Sequence, residues 1–257
     1  MPHNGFPAPF VKMSENTLDF NKMLWFQDIW RDREERAYPE LFGKLPDSLI
    51  PLRAEKLRSI LGPGVTIDNN WLHHAVVEVA PNQQHADWLY VTTGMSQPWK
   101  IDDPDKLDRN GYSGQGFEMV LRTHARAGWA VDVLHALMAY QLGVYHEIKR
   151  GKLFEYYDWM PLNGPISPNH PDTEVRGMFI SRPQDFPARF ELRSGQVDLL
   201  QIVGITGPEL AYGLSLGMGR LEKLLFAQGA APTTDPARST IELPQTFGLP
   251  PQIATRF

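Results

Sequence analysis

The order of the periodic segments predicts an α+β fold in which helices flank a mixed β-sheet. Residues 87–93 alternate aromatic and β-branched side chains, which is typical of a pleated surface. Residues 129–142 place apolar side chains at helical spacing and end at Gly143. A second apolar run, 197–205, leads directly into another helical pattern. Helix and strand signals therefore alternate along the chain, and this order favours a mixed sheet covered by helices.

The N-terminal part of the chain predicts one long helix and a β-hairpin. The helix begins near residues 14–17 and continues to about Arg36, with an apolar stripe on one side. Its charged end, 31–36, is interpreted as a solvated helix face. Prolines divide residues 37–65 into short helical pieces and turns. Strands at 73–80 and 87–93, joined by a polar loop, indicate the hairpin.

The remaining elements are bounded by glycine, proline or polar residues. Further strands are predicted at about 116–125, 175–181, 188–193 and 197–205, with a loop-like stretch at 144–174. A final helix begins with Thr206 and Glu209, which have the spacing of a capping box, and continues past Leu225. The predicted domains are an N-terminal arm (1–14), one α+β domain (15–228) and a proline-rich C-terminal tail (229–257).

Composition excludes several classes of chemistry. The 257 residues contain no cysteine, which removes disulfides, thiolate nucleophiles and zinc–thiolate sites. The formal charge of −5 argues against nucleic acid as a partner. No stretch approaches the ~20 apolar residues of a membrane span, and the N-terminus has no secretory pattern. A cytoplasmic protein is therefore expected.

The chain shows no recognisable catalytic or metal-binding motif. Residues 111–115 (GYSGQ) fail the G-x-S-x-G pattern of hydrolases at Gln115. His73 and His74 are adjacent, so on a strand they point to opposite faces. We therefore predict no catalytic residue, no metal site and no cofactor.

An acidic loop between two predicted strands is the more suggestive feature. It contains Asp102, Asp103 and Asp105, close to Trp99. Nearby lysine and arginine residues nearly balance these carboxylates, so one interpretation is an ordinary solvated loop. The other is a recognition loop, in which carboxylates meet a basic partner and an aromatic side chain anchors it.

Three segments in register resemble the suppressor of fused family. They are 89–96 (LYVTTGMS), 113–122 (SGQGFEMVLR) and 200–210 (LQIVGITGPEL), and the likeness covers about residues 60–226. The family pattern has histidine before the strand tyrosine, where this chain has Leu89.

The resemblance implies a protein-binding module rather than an enzyme. The animal member of the family holds a short peptide as an added strand, and bacterial stand-alone members have been proposed as immunity proteins that neutralise toxins. By motif alignment, the resemblance places Tyr90, Asp102 and Asp103 in the region that the animal protein uses for partner contact. The expected partner is another protein, such as a basic toxin domain, bound by occlusion, and the sequence does not determine the oligomeric state.

Two alternatives stay open at this point. One is an enzyme whose site assembles from distant residues such as His124, Glu118 and Asp132. The other is a scaffold subunit, which would show a large apolar patch on helix 129–142 or 208–226.

Overall fold

The fold is built on one mixed β-sheet. A computed structural model describes residues 17–101 and 104–244. The strands are β1 (Ile50–Pro51), β2 (Ala75–Val79), β3 (Trp88–Thr93), β4 (Tyr112–Thr123), β5 (Trp159–Pro161), β6 (Val175–Ser181), β7 (Arg189–Leu192) and β8 (Gly195–Thr206). They lie in the order β1-β2-β3-β4-β8-β6-β5, and β7 pairs with β8 beside that path.

The strand pairs are antiparallel except at the centre of the sheet. β2 and β3 form the predicted antiparallel hairpin. β4 and β8 run parallel, and β8 pairs antiparallel with β7 along its first part and with β6 along its second. Both central strands are apolar and buried over most of their length, because helices cover both faces of the sheet. The predicted α+β class with a mixed sheet is confirmed.

The helices lie in three groups around the sheet. They are α1 (Thr17–Arg31), α2 (Tyr38–Phe42), α3 (Ala54–Leu61), α4 (Gly128–Tyr145), α5 (Gly207–Leu216) and α6 (Met218–Ala227). A π-helical segment, Asp32–Ala37, joins α1 to α2. α3 and α4 pack over one cluster of the core, the helical region 29–42 packs with β7 over a second, and α5 and α6 pack over a third.

The predicted C-terminal helix is two helices. The capping box is present, with the Thr206 hydroxyl and the Glu209 carboxylate each bonded to the other residue's backbone N–H. α5 then ends at Gly217, whose φ of +106° is a conformation that L side chains rarely adopt, and α6 begins at the next residue. The apolar periodicity continued across this break, so the pattern alone indicated one helix.

Part of the predicted tail contacts the predicted domain. Arg238 lies along Glu209, with Nη1 2.6 Å from Oε1 and Nη2 2.8 Å from Oε2, and Nη2 also donates to the carbonyl of Gly204 at 2.7 Å. Thr234 is buried and its hydroxyl accepts the Gly204 N–H. The described part of the predicted tail, residues 229–244, therefore packs against the predicted domain 15–228. The predicted arm (1–14) and residues 245–257 lie outside the described residues.

Removing the Arg238 side chain tests this contact. Glu209 is fully buried, so Arg238→Ala would leave its carboxylate without its cationic partner. We expect a loss of about 3 kcal/mol in the free energy of unfolding, measured by urea denaturation. Arg220→Ala, an exposed arginine on α6, is the control and should change stability by less than about 0.5 kcal/mol. Equal effects of the two substitutions would place 229–244 outside the cooperative unit.

Candidate protein-binding surface

A buried carboxylate holds the turn that begins the β3–β4 loop. Glu118, on β4, is fully buried. Its Oε1 accepts the N–H of Gly94 at 3.1 Å, the N–H of Ser96 at 2.9 Å and the Ser96 hydroxyl at 2.6 Å. Its Oε2 accepts the Thr92 hydroxyl at 2.6 Å. The glutamate of the second sequence motif is therefore used to fix the backbone of the first.

The glycine-rich start of β4 packs directly under this turn. Gly114 has a φ of +60°, and a Cβ placed there would lie 2.6 Å from the carbonyl oxygen of Met95. Ser113 is buried and donates to the carbonyl of Ser96 at 2.6 Å. The expected turn ahead of the strand is thus an irregularity within it, with a register shift between Tyr112 and Phe117. Its serine is a structural donor.

The turn between β7 and β8 and the start of β8, which precede the third motif, reach the same place. The N–H of Gln196, at the start of β8, donates to the carbonyl of Gly111 at 2.8 Å, and the hydroxyls of Ser113 and Ser194 lie 2.5 Å apart. The first two motifs and the β7–β8 turn, which are far apart in sequence, therefore converge on the base of one loop, residues 97–111.

Part of the predicted solvated charge run is buried beneath this loop. Arg33 is 1% exposed; it donates from Nε to the Thr93 hydroxyl at 2.8 Å and from Nη1 to Ser96 and Gln97 at 3.3 and 3.2 Å. Glu34 accepts the Thr93 hydroxyl at 2.6 Å. The interpretation of 31–36 as a solvated face is wrong for these residues. Arg33 lies four residues from both Ile29 and Ala37, which are core residues. This helical spacing is the sequence signal that could have predicted the burial of Arg33.

Burial alters the protonation of several groups in this cluster. It raises the pKa of Glu118 and of Glu34, while the nearby Arg33 guanidinium opposes the rise at both carboxyls. Burial also lowers the pKa of His74 to about 3, so this imidazole is neutral in the folded protein. Its ring lies against Gly94 at the start of the turn.

Loop 97–111 contains four of the five predicted contact residues, all except Tyr90. Trp99 is partly exposed and lies between Phe26 and His73, with ring centroids 5.1 and 5.5 Å away. Asp105 is exposed in a short 3-10 turn. Asp102 and Asp103 lie outside the described residues. The loop is thus anchored to α1 through its tryptophan.

Tyr90 does not lie on this surface. It is fully buried in β3, and its hydroxyl accepts the N–H of Ala127 at 2.6 Å at the start of α4. The pleat explains the difference, because Tyr90 points toward α4 on the face that the core covers. In this structure Tyr90 offers no surface to a partner, so we do not retain it as an anchor.

The structure does not bring the three residues of the enzyme alternative together. Glu118 is buried in the turn network, His124 lies 3.4 Å from Asp87, and Asp132 pairs with Lys56 at 4.0 Å near the surface. Within 17–101 and 104–244, no group of three His, Asp or Glu side chains is arranged to hold a metal ion. No helix among those residues is long and apolar enough to cross a bilayer.

Comparison with known proteins identifies the family. The family model "Suppressor of fused protein (SUFU)" matches residues 60–239. The chain belongs to the suppressor of fused family. Its members are protein-interaction modules, and the family predicted from the three motifs is confirmed. A search of curated proteins finds no match.

Solved structures of the family are similar to this chain at low sequence identity. A structure described as the Sufu–Fu complex has a TM-score of 0.51 and 17% identity, covering 76% of this chain and 93% of its own. A putative suppressor of fused homologue from Neisseria gonorrhoeae has a TM-score of 0.48 and 15% identity, and the match covers 72% of this chain and 92% of the homologue. Suppressor of Fused from Drosophila has a TM-score of 0.45 and 17% identity, and the match covers 59% of this chain and 38% of the Drosophila chain. The first of these supports the fold.

Gly114→Ala tests whether the turn requires close backbone contact. The added methyl group would meet backbone atoms at 2.6 Å, in a φ range that favours glycine. We expect a loss of at least about 2 kcal/mol in the free energy of unfolding by urea denaturation. Gly64→Ala is the matched control, since nothing lies within 4 Å of a Cβ there. A Gly114→Ala protein as stable as the control would contradict this account.

The buried histidine gives a pH dependence of defined sign. His74 is neutral in the folded state, with a pKa near 3, but titrates near 6.5 when unfolded. Its contribution to stability is therefore present above pH 6.5 and is lost as the pH falls toward 3. Between pH 7 and 5 this amounts to about 2 kcal/mol.

The comparison with His74→Gln isolates this group. Urea denaturation from pH 7 to 5 should show a shallower decline in the free energy of unfolding for His74→Gln than for the unmodified protein. His170→Gln, at an exposed histidine, controls for the loss of one imidazole. Parallel declines in the unmodified protein and His74→Gln would show that His74 does not carry this dependence.

Proposed function

We propose that this protein is a non-catalytic binding module that covers the functional region of a partner protein with loop 97–111. The observation that most supports this proposal is that polar residues of the sequence motifs hold the base of the loop in place. Glu118, Ser113 and Ser96 are all buried, and their hydrogen bonds fix the base of the loop. Their polar groups are thus directed into the protein, while residues 105–106 and 108–110 of the loop are exposed.

The chemistry of the loop favours a basic partner. Asp105 is exposed on it, Asp102 and Asp103 belong to the same loop, and the chain carries a net charge of −5. Trp99, held by Phe26 and His73, supplies a partly exposed aromatic surface beside them. Such a combination gives rapid, charge-steered association with an anchoring contact.

The most specific form of this proposal is immunity to a toxin in the cytoplasm. A toxin that acts on nucleic acid must present basic residues to phosphates, so an acidic loop would cover the surface that the toxin needs. Occlusion requires no catalytic group in the inhibitor.

The test begins with the partner. The tagged chain would be used to isolate a stoichiometric partner from lysate of the native cells, and mass spectrometry would identify it. Expressing that partner alone should stop growth, and co-expression of this chain should restore it. A partner that is harmless when expressed alone would contradict immunity while leaving protein binding in place.

Substitution of the loop carboxylates tests the surface. Asp102→Ala together with Asp103→Ala should weaken the isolated complex about tenfold, because two charges facing a basic surface are lost, and should leave the unfolding transition unchanged. Isothermal titration calorimetry measures the affinity. Asp172→Ala, an exposed carboxylate elsewhere, is the control. Unchanged affinity in the double variant would remove loop 97–111 from the mechanism.

A further inference from the structure

A groove follows the outer edge of β7, between that strand and the helical region 25–41. It has two parts, with volumes of about 530 and 560 Å³, that meet at Leu192 and Arg193. Ala37, Phe190 and Leu192 contribute buried apolar surface to its wall. Arg109, from the far end of loop 97–111, lines the second part together with Trp25 and with Asp28, whose carboxylate pairs with Arg31 at 3.9 Å. The groove therefore adjoins the proposed binding loop but has a different lining.

The edge of β7 is the strand edge best suited to contact another chain within the described sheet. The two strands that end the sheet order, β1 and β5, contain Pro51 and Pro161, which lack an N–H and so disfavour pairing. β7 contains no proline. A strand edge without proline, facing an open groove, can offer main-chain hydrogen bonds to an extended segment.

Side chains from the π-helical segment already use part of this edge. The Arg193 N–H donates to Oδ2 of Asp32 at 2.8 Å, and Nη2 of Arg36 donates to the carbonyl of Glu191 at 2.7 Å. Asp32 and Arg36 also pair with each other at 2.6 Å. Main-chain groups alternate in direction along a strand. The N–H and C=O groups of Arg189 and the N–H of Glu191 therefore face the same groove as the Glu191 carbonyl.

Two arginines lie exposed at one end of the groove. Arg109 and Arg193 are exposed, and neither guanidinium has a hydrogen bond or a salt bridge in the described part of the chain. The other arginines of the groove are engaged, Arg36 with Asp32 and Glu40, and Arg189 with Asp198. The charge of Arg193 helps to lower the pKa of Asp32, but the Arg193 guanidinium makes no hydrogen bond to it among the described residues. A guanidinium whose donors are not used is a strong, bidentate binder of carboxylates. Trp25 and Leu192 place apolar surface beside both charges.

We infer that this groove docks an extended, acidic segment of a partner protein. Its carboxylates would pair with Arg109 and Arg193, an apolar side chain would lie on Trp25 and Leu192, and its backbone would run along the edge of β7. The inference rests on the proposed role in protein binding but not on immunity. The arginines of the groove would contact an acidic segment, whereas the acidic loop would contact a basic surface. Together the two contacts can hold one partner in a fixed orientation.

Selection from a peptide library tests the chemistry of the occupant. Random dodecapeptides displayed on phage would be selected against the unmodified chain, the double variant Arg109→Glu/Arg193→Glu, and a control double variant, Arg58→Glu/Arg150→Glu. The control arginines are exposed and are not part of the groove. We expect enrichment of Asp and Glu next to an apolar residue with the unmodified chain and the control, and enrichment of Lys and Arg with the groove variant.

Binding measurements with a selected acidic peptide complete the test. Fluorescence anisotropy should show at least tenfold weaker binding to Arg109→Glu/Arg193→Glu, and equal binding to the control. If thermal unfolding shows that the charge reversal destabilises the fold, Arg109→Gln/Arg193→Gln replaces it, with the same expected loss. Failure to select peptides, absence of acidic enrichment, or equal binding to the groove variants would overturn the inference.

A third variant separates this surface from the acidic loop. Asp102→Ala/Asp103→Ala should bind the selected peptide as the unmodified chain does. Loss of peptide binding in that variant would place the peptide on loop 97–111 and overturn the groove assignment. If the groove inference fails this test, the proposed function is still tested independently, by the affinity of the isolated partner for the Asp102→Ala/Asp103→Ala variant.

Discussion

The hydrogen bonds accepted by the Glu118 carboxylate are the interaction on which the rest of the described structure depends. A buried carboxylate is costly unless several donors satisfy it, and here the donors are two backbone N–H groups and two hydroxyls of residues 92–96. These bonds join β3 to β4 and fix the turn between them. This turn packs closely against Gly114, so the direction in which the chain enters the following loop is fixed.

Below this turn, the π-helical segment contributes its charged side chains to two separate tasks. Arg33 points into the core and bonds to the residues of the turn, while Asp32 and Arg36 lie over the edge of β7. One short helical run therefore connects the base of loop 97–111 to the adjoining groove. Consecutive side chains of a helix point in different directions, so neighbouring residues can serve two different surfaces.

The two surfaces have opposite chemistry within one domain. Loop 97–111 carries an exposed carboxylate and a tryptophan, whereas two exposed arginines, Arg109 and Arg193, line one end of the groove. A protein-interaction module with both signs on adjacent surfaces can distinguish the orientation of a partner as well as its charge, because a reversed partner would bring like charges together.

The sequence by itself determined the family, the α+β class, the hairpin and the capping box, because strand alternation and helix caps are local patterns that few structures satisfy. Tertiary structure decided the rest. Arg33 is buried and Tyr90 is covered by α4, since burial depends on what packs against an element and not on its own periodicity. Gly217 divides an apolar stripe that continues across it, and 229–244 pack on the domain through Arg238 and Thr234. The groove depends on β7 meeting a helical region about 150 residues earlier in the chain, a contact that no local pattern encodes.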